Sequence, residues 1–201
     1  GRFTLIHMRS DVDDFRENLF ARGTSYGLSE DIITMGAAFM KFSPDLLNQF
    51  SATADLTNSP TERNWVAAFR HADQGLPAHI EHALIAGRVG SGAAATFLGF
   101  LRMYRDLPSL EAILLDPERG IIPENTAARY AVACGLANLA DEKNFDRIGK
   151  YATRLEQHEQ GEFAVLLVRD AMRRKPKVQN TQAWVKLMSG KLGKLVNGSA
   201  A

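Results

Sequence analysis

Apolar side chains recur every three or four positions along most of the chain, which is the spacing of amphipathic helices. In segment 29–42, for example, Ile32, Met35 and Phe39 fall on one face of a helix. Pro or Gly residues punctuate the short connections between such segments, as in packed helical proteins. We therefore predict an all-α fold, a helical bundle.

The predicted helical segments cover nearly all of the chain after the first ten residues. They are 11–23, 29–42, 43–50, 59–72, 75–90, 91–107, 109–116, 123–140, 141–158, 161–175 and 180–196. No repeat of fixed period links them, so a helical solenoid has no direct support.

One short segment has a different pattern. Residues 2–8, RFTLIHM, alternate loosely and contain β-formers, which predicts one N-terminal strand. A single strand cannot form a sheet, so it either pairs outside this chain or lies unpaired. Because the first residue is Gly rather than Met, we expect the chain to be a piece of a longer protein.

The stretch SPTERNW, residues 59–65, has the signature of a helix start. Ser59 is a good N-cap, Pro60 suits the first helical position, and Glu62 completes the capping-box spacing. Arg63 follows, where the helix dipole disfavours a cation. Either it pairs with Glu62 or Glu81 or extends into water, or it binds an anion such as a phosphate.

Composition and charge narrow the classes of protein. Of the 201 residues, 45% are hydrophobic and the formal net charge is +1, so no global field attracts nucleic acid or membrane. The single Cys134 lies in an apolar stretch, which excludes an internal disulfide and predicts a buried thiol in a reducing cytoplasm. The apolar runs are too short to span a bilayer, and no signal peptide is visible.

The common catalytic and metal-binding motifs are missing. The sequence has no G-x-S-x-G and no G-x-x-x-x-G-K-[ST]. His79 and His82 lack a third ligand nearby, so we predict no metal site. The glycine-rich stretch 87–97 lacks a lysine and a preceding strand, and we interpret its small residues as allowing two helices to approach closely.

The C-terminal stretch 169–194 is rich in basic residues. It contains Arg169, Arg173, Arg174, Lys175, Lys177, Lys186, Lys191 and Lys194, against Asp170 alone. These cations could contact DNA or RNA phosphates. They could equally form solvated helix faces and stabilise helix C-termini, and Trp184 is the only aromatic residue among them.

Three stretches together resemble one family. GRFTLIHMRSDVDDF, FSPDLLNQF…NSPTERNW and GLPAHIEHALIAGRVGSGAAATFLGFLR…LPSLEAILLDP are similar, in that order, to the C-terminal part of MoxR-like AAA+ ATPases. The similarity continues through NFDRIGKYATRL and EFAVLLVRDAMRR and so covers most of the chain. The order of the set is more specific than any single piece.

The resemblance implies a division of the chain and two functional arginines. Residues 1–75 would form the end of the AAA+ core and a helical lid, and residues 76–201 a helical extension. Arg2, followed by Phe3, matches the arginine finger that reaches the ATP of a neighbouring subunit. Arg63 matches the sensor-2 arginine that contacts the ATP γ-phosphate.

The same resemblance implies that this chain is not catalytic alone. The phosphate-loop lysine, the Walker B carboxylates and the sensor-1 residue would precede Gly1. ATP and Mg²⁺ are then expected only with the AAA+ core of the same polypeptide. The resemblance implies that the whole protein is a cytoplasmic, ring-shaped homo-oligomer that remodels a client protein. The alternatives are a stand-alone helical scaffold that binds a protein partner, and a nucleic-acid-binding module using residues 169–194.

Overall fold

All regular secondary structure in the part of the chain that the structure describes is helical. The computed structural model describes residue 4 and the ranges 9–50, 58–107 and 109–198. The all-α fold class is thereby confirmed. The predicted strand 2–8 lies outside the described residues, except for Thr4, which is exposed and has no regular structure.

Eleven α-helices follow one another along the described residues. They are α1 (Val12–Arg22), α2 (Glu30–Phe42), α3 (Glu62–Ala72), α4 (Ala78–Val89), α5 (Ser91–Arg105), α6 (Leu110–Leu115), α7 (Thr126–Leu139), α8 (Phe145–Gln157), α9 (Gly161–Arg174), α10 (Gln182–Met188) and α11 (Lys191–Val196). Short 3₁₀ turns lie at Gly23–Tyr26, Pro44–Leu46 and Pro176–Asn180. None of these helices is long and apolar enough to cross a membrane.

Two predicted segments differ from the structure in length or continuity. Segment 43–50, predicted as a short helix, is only a 3₁₀ turn at Pro44–Leu46. The last predicted helix, 180–196, is divided into α10 and α11 around Gly190. Each difference has a local cause. Glycine is a poor helix former, so the helix is interrupted near Gly190, and the turn that begins at Pro44 does not continue into an α-helix.

The chain divides into two compact units, residues 1–99 and 100–201. The division falls within α5, whereas the sequence predicts a boundary between residues 75 and 76. The predicted boundary divides the chain by function, into a lid and a helical extension, and not by compactness. It therefore stays a prediction.

An aromatic cluster forms the core of the first unit. Phe39 of α2, Trp65 and Phe69 of α3, and Phe97 of α5 are all fully buried. Their ring centroids lie 5.0–5.7 Å apart, within the range of favourable aromatic pairs. Gly36 of α2 lies so close that a Cβ there would be 2.8 Å from the Phe69 ring. The close approach of α2 and α3 therefore depends on this glycine.

The second unit is centred on α9, which packs against both α7 and α8. Its interior also contains a charge pair. Asp170 accepts a hydrogen bond from Arg174 at 2.9 Å, and both side chains are more than 90% buried. Arg174 also donates to the Cys134 carbonyl of α7 at 3.1 Å, and the buried Cys134 thiol lies 3.8 Å from the Asp170 carboxylate. These contacts connect α9 to α7, and the prediction of a buried Cys134 is confirmed.

Candidate functional site

The helix that carries Arg63 begins two residues later than the sequence predicts. Thr61, not Ser59, is the N-cap of α3, and its Oγ1 accepts a hydrogen bond from the Asn64 N–H at 3.2 Å. The Pro60 carbonyl accepts a hydrogen bond from the Gln49 N–H at 3.0 Å. Pro60 therefore takes no part in the hydrogen bonds of the helix. Thr61 has the extended backbone of an N-cap and takes over the capping role.

The predicted capping box is also absent. The Glu62 carboxylate accepts a hydrogen bond from the Asn48 side chain at 3.4 Å, and the same amide donates to the Ser10 hydroxyl at 2.7 Å. Because Thr61 is the N-cap, Glu62 is the first residue of α3 rather than its third. Its partner is supplied by a segment 14 residues earlier in the chain.

Arg63 is the second residue of α3 and is exposed. Neither Glu62 nor Glu81 pairs with it: no hydrogen bond or ion pair joins its guanidinium to any residue that the structure describes. Glu81 is itself only 4% exposed, on α4. Of the two pairings that the sequence left open for this cation, neither is formed.

The backbone that carries Arg63 is firmly held. Trp65, two residues later, is fully buried in the aromatic cluster of the first unit. Its indole N–H donates to the Leu46 carbonyl at 2.6 Å. A hydrogen bond from a buried aromatic ring fixes both the depth and the rotation of the helix start. The exposed guanidinium of Arg63 thus extends from a backbone that is held in place.

The segment just before α3 is joined to the end of α4. The Asn58 side chain donates to the Gly87 carbonyl at 2.6 Å. Gly90, with φ at 79°, approaches so closely that a Cβ there would lie 3.2 Å from the Asn58 carbonyl oxygen. The first turn of α3 and the last turn of α4 are therefore neighbours.

The sequence predicts that the small residues of stretch 87–97 allow two helices to approach closely. The structure agrees with this prediction only in part. Gly90 does permit a close approach, but to the backbone of Asn58 rather than between two helices. A Cβ at Gly87 or Gly92 would meet no atom of the described residues within 4 Å. The prediction of close helix–helix packing is therefore wrong at these two positions.

The other residues that the sequence singled out are not brought together with Arg63. Arg2 and Phe3 lie outside the described residues. His79 and His82 are both exposed on α4. The described part of the chain has no group of three His, Cys, Asp or Glu side chains that could hold a metal ion.

Several cations of the basic stretch 169–194 are engaged within the chain. Arg169 donates twice to the carbonyl at the end of α11, at 2.6 and 3.0 Å. Arg174 is buried against Asp170, and Lys191 forms an ion pair with Glu156. These contacts use the cations to join α8, α9 and α11. They leave fewer charges for phosphate than the sequence suggests.

The roles of two residues near the start of α3 could not be predicted from the sequence. Asn48 and Asn58 hold the two sides of the α3 start, yet neither belongs to a local pattern. Their partners lie 14 and 29 residues away, and only the folded chain brings them together. Comparison with protein-family models, curated proteins and solved structures finds no match.

Proposed function

We propose that this chain is the lid and helical extension of a MoxR-like AAA+ ATPase, and that Arg63 contacts the γ-phosphate of bound ATP. The observation that supports the proposal is an exposed guanidinium in the first turn of α3 with no partner among the described residues. The ordered resemblance of the sequence, in which Arg63 matches the sensor-2 position, also supports it.

The helix start favours an anion. The dipole of α3 costs a cation in its first turn about 0.3–1 kcal/mol, and a bound phosphate would reverse that cost. Thr61 satisfies the Asn64 N–H, while the N–H groups of Glu62 and Arg63 have no acceptor within the helix itself. Backbone N–H groups and a permanently charged, planar guanidinium together suit phosphate oxygens.

The chain would supply only part of what ATP hydrolysis needs: a positive charge and the orientation of the γ-phosphate. ATP with Mg²⁺ supplies the transferable phosphoryl group, and its hydrolysis also needs a phosphate-loop lysine and Walker B carboxylates. Arg63 would orient the γ-phosphate and neutralise part of its charge. In this proposal Arg2 serves the ATP of a neighbouring subunit in a homo-oligomeric ring, and lid closure drives the remodelling of a client protein.

A protein-interaction scaffold is the second candidate. It is favoured by large aliphatic side chains exposed in the second unit, where Leu115 and Ile121 are 76% and 61% exposed. A nucleic-acid-binding module has less support, because Arg169 and Arg174 are occupied by contacts within the chain. A protein-interaction scaffold needs no nucleotide. Measurements of ATP binding and turnover therefore distinguish it from our proposal.

The reading frame upstream of Gly1 tests the proposal first. We expect a G-x-x-x-x-G-K-[ST] motif within about one domain length, 100–200 residues. The chain by itself should be folded and helical by circular dichroism and should show no micromolar affinity for Mg-ATP in calorimetry. Micromolar binding with phosphate release by this chain alone would overturn the proposal, as would a start codon with no such motif upstream.

A further inference from the structure

A cavity of about 530 Å³ lies in the second unit, between α8, α10 and α11. All of its lining residues belong to that one compact unit. Its volume falls within the range of about 300–1,000 Å³ that is typical of sites for small organic molecules. The proposed contact between Arg63 and ATP makes no use of this cavity.

The inner wall of the cavity is apolar. Leu187 of α10 and Leu192 of α11 line it, and they are only 9% and 4% exposed. Gly149 of α8 lines it as well, and a Cβ there would lie 3.7 Å from the Leu187 side chain, which is an ordinary contact distance. The helices α8 and α10 therefore meet at this wall, and a ligand inside the cavity contacts aliphatic groups of packed helices.

Charged side chains form much of the remaining lining. Four of them are cations and three are carboxylates, so the lining carries one net positive charge. The Lys150 ammonium lies 3.4 Å from the Asp146 carboxylate and 3.9 Å from the Glu118 carboxylate, and Lys191 pairs with Glu156. The two other cations of the lining more than balance the one negative charge that Lys150 leaves over.

Arg154 is one of these two cations, and only part of its guanidinium is engaged within the chain. Its Nη1 donates to the Pro117 carbonyl at 3.3 Å and to the Gly120 carbonyl, which holds the group in place. Its Nε and Nη2 have no acceptor among the residues that the structure describes. The N–H groups of Nε and Nη2 form one edge of the planar guanidinium, and such an edge matches the two oxygens of a carboxylate.

The charges of the lining favour a ligand with a single negative charge, which would bring the net charge of the lining to zero. A phosphate carries about 1.5–2 negative charges at pH 7. It would leave an excess beside Asp146 and Glu118, whose side chains are 61% and 75% exposed. A neutral or cationic molecule would give Arg154 no anionic acceptor. The apolar inner wall in turn favours an aliphatic or aromatic body.

We propose that this cavity, called here the α8–α10 cavity, binds a small organic monocarboxylate with an aliphatic or aromatic body. The carboxylate accepts two hydrogen bonds from Nε and Nη2 of Arg154, and the Lys186 ammonium supplies the second positive charge of the site. The body of the ligand packs against Leu187 and Leu192. The inference does not depend on nucleotide binding.

The ligand class is tested with two probes, hexanoate and 3-phenylpropanoate, each compared with its uncharged amide of the same shape. Backbone N–H signals of the whole chain are followed by NMR as each probe is added at pH 7, where carboxylates are ionised. We expect both acids to bind, with the largest shifts at Gly149, Thr153 and Leu192, which line the cavity. The amides should bind about tenfold more weakly or less, because they offer Arg154 no anionic acceptor.

Variants of the lining test the place of binding. Lys186→Glu should weaken the binding of both acids at least about fivefold by reversing a charge of the site. Lys177→Glu is the matched control, an exposed lysine of the same unit outside the cavity, and should bind as the unaltered chain does. Ala183→Leu fills part of the cavity and should also weaken binding. Both lining variants keep Arg154 and its hydrogen bonds to the loop, and matching melting curves show that each is folded.

Four results would overturn the proposal. The first is the absence of shifts at the cavity with both acids, and the second is binding of the amides as tight as that of the acids. The third is binding that Lys186→Glu and Ala183→Leu leave unchanged. The fourth is tighter binding of phenyl phosphate than of 3-phenylpropanoate, which would make the cavity a phosphate site instead.

Discussion

The indole of Trp65 donates a hydrogen bond to the carbonyl oxygen of Leu46 at 2.6 Å, across 19 residues of chain. Leu46 ends the 3₁₀ turn after α2, and Trp65 lies in the first turns of α3. The bond therefore connects two elements that are remote in sequence. It also fixes the helix start on which the candidate site depends.

Replacing Trp65 by Phe should lower the stability of the chain. The substitution keeps an aromatic ring but removes the N–H donor and leaves the Leu46 carbonyl without its partner. An unsatisfied polar group and the lost volume together should cost about 2–4 kcal/mol. Urea unfolding followed by circular dichroism measures the change.

Trp184→Phe is the matched control for this prediction. Trp184 is half-buried beside Phe145, with ring centroids 5.8 Å apart, and its indole N–H has no acceptor among the described residues. We expect a loss about half as large or less, because only packing changes. Equal losses for the two tryptophans would mean that the bond to Leu46 contributes nothing to stability.

Two glycines three residues apart should respond in opposite directions to alanine. Gly90→Ala places a Cβ at φ 79° and 3.2 Å from the Asn58 carbonyl, and should destabilise the chain by about 1–2 kcal/mol. Gly87→Ala places its Cβ within α4 and more than 4 Å from every described neighbour, and should stabilise the chain by about 0.5–1 kcal/mol. Thermal melting of both variants checks the signs, and two changes of the same sign would contradict this account of the α4–α5 turn.

The stability of the chain should depend on Tyr151 at alkaline pH. Burial raises the pKa of Tyr151 to about 12, above the value near 10 of an unfolded tyrosine. Its phenol is therefore protonated in both states below pH 10, and this contribution to stability is fully present there. Between pH 10 and 12 the unfolded chain loses the proton first, so the free energy of unfolding falls by up to about 3 kcal/mol.

Tyr151→Phe isolates that contribution. The variant also loses the hydrogen bond to the Ile121 carbonyl, which should cost about 1 kcal/mol at every pH below 10. Urea unfolding at pH 9 and pH 11.5 should therefore show a gap between the two proteins that shrinks or reverses at the higher pH. Other groups titrate alike in both proteins. A gap independent of pH would contradict the raised pKa.

The helices could be predicted from sequence because their signals are local. The apolar spacing of 29–42 and the cap at Ser29 give α2 almost to its ends, and the Ser29 hydroxyl accepts from the Ile32 N–H at 3.3 Å. The predicted start of α3 at Ser59 is wrong because Ser59 and Thr61 are both competent caps. The choice between them depends on Gln49, which engages the Pro60 carbonyl from another part of the chain.

The candidate site was predictable only in part for the same reason. A cation in the first turn of α3 is visible in the sequence, since the dipole makes Arg63 unusual there. That neither Glu62 nor Glu81 pairs with it is not visible, because Asn48 takes the Glu62 carboxylate after folding. Likewise the run 169–194 suggests a phosphate-binding surface until folding buries Arg174.

The central claim, that Arg63 serves a bound nucleotide, is tested most directly by ATP turnover. The protein to measure is the longer polypeptide that joins this chain to a phosphate loop. Arg63→Ala should lower the turnover number or the affinity for ATP at least tenfold, which is the loss of about 1.4 kcal/mol or more of phosphate stabilisation. Its melting temperature should change little, because an exposed arginine with no ion pair among the described residues adds little to stability.

The control is Arg22→Ala, another exposed arginine of the first unit, in α1, whose turnover and melting should match those of the unaltered protein. Our account predicts a tenfold or greater loss in Arg63→Ala at unchanged stability. Turnover and ATP affinity of Arg63→Ala within twofold of those of Arg22→Ala would contradict it.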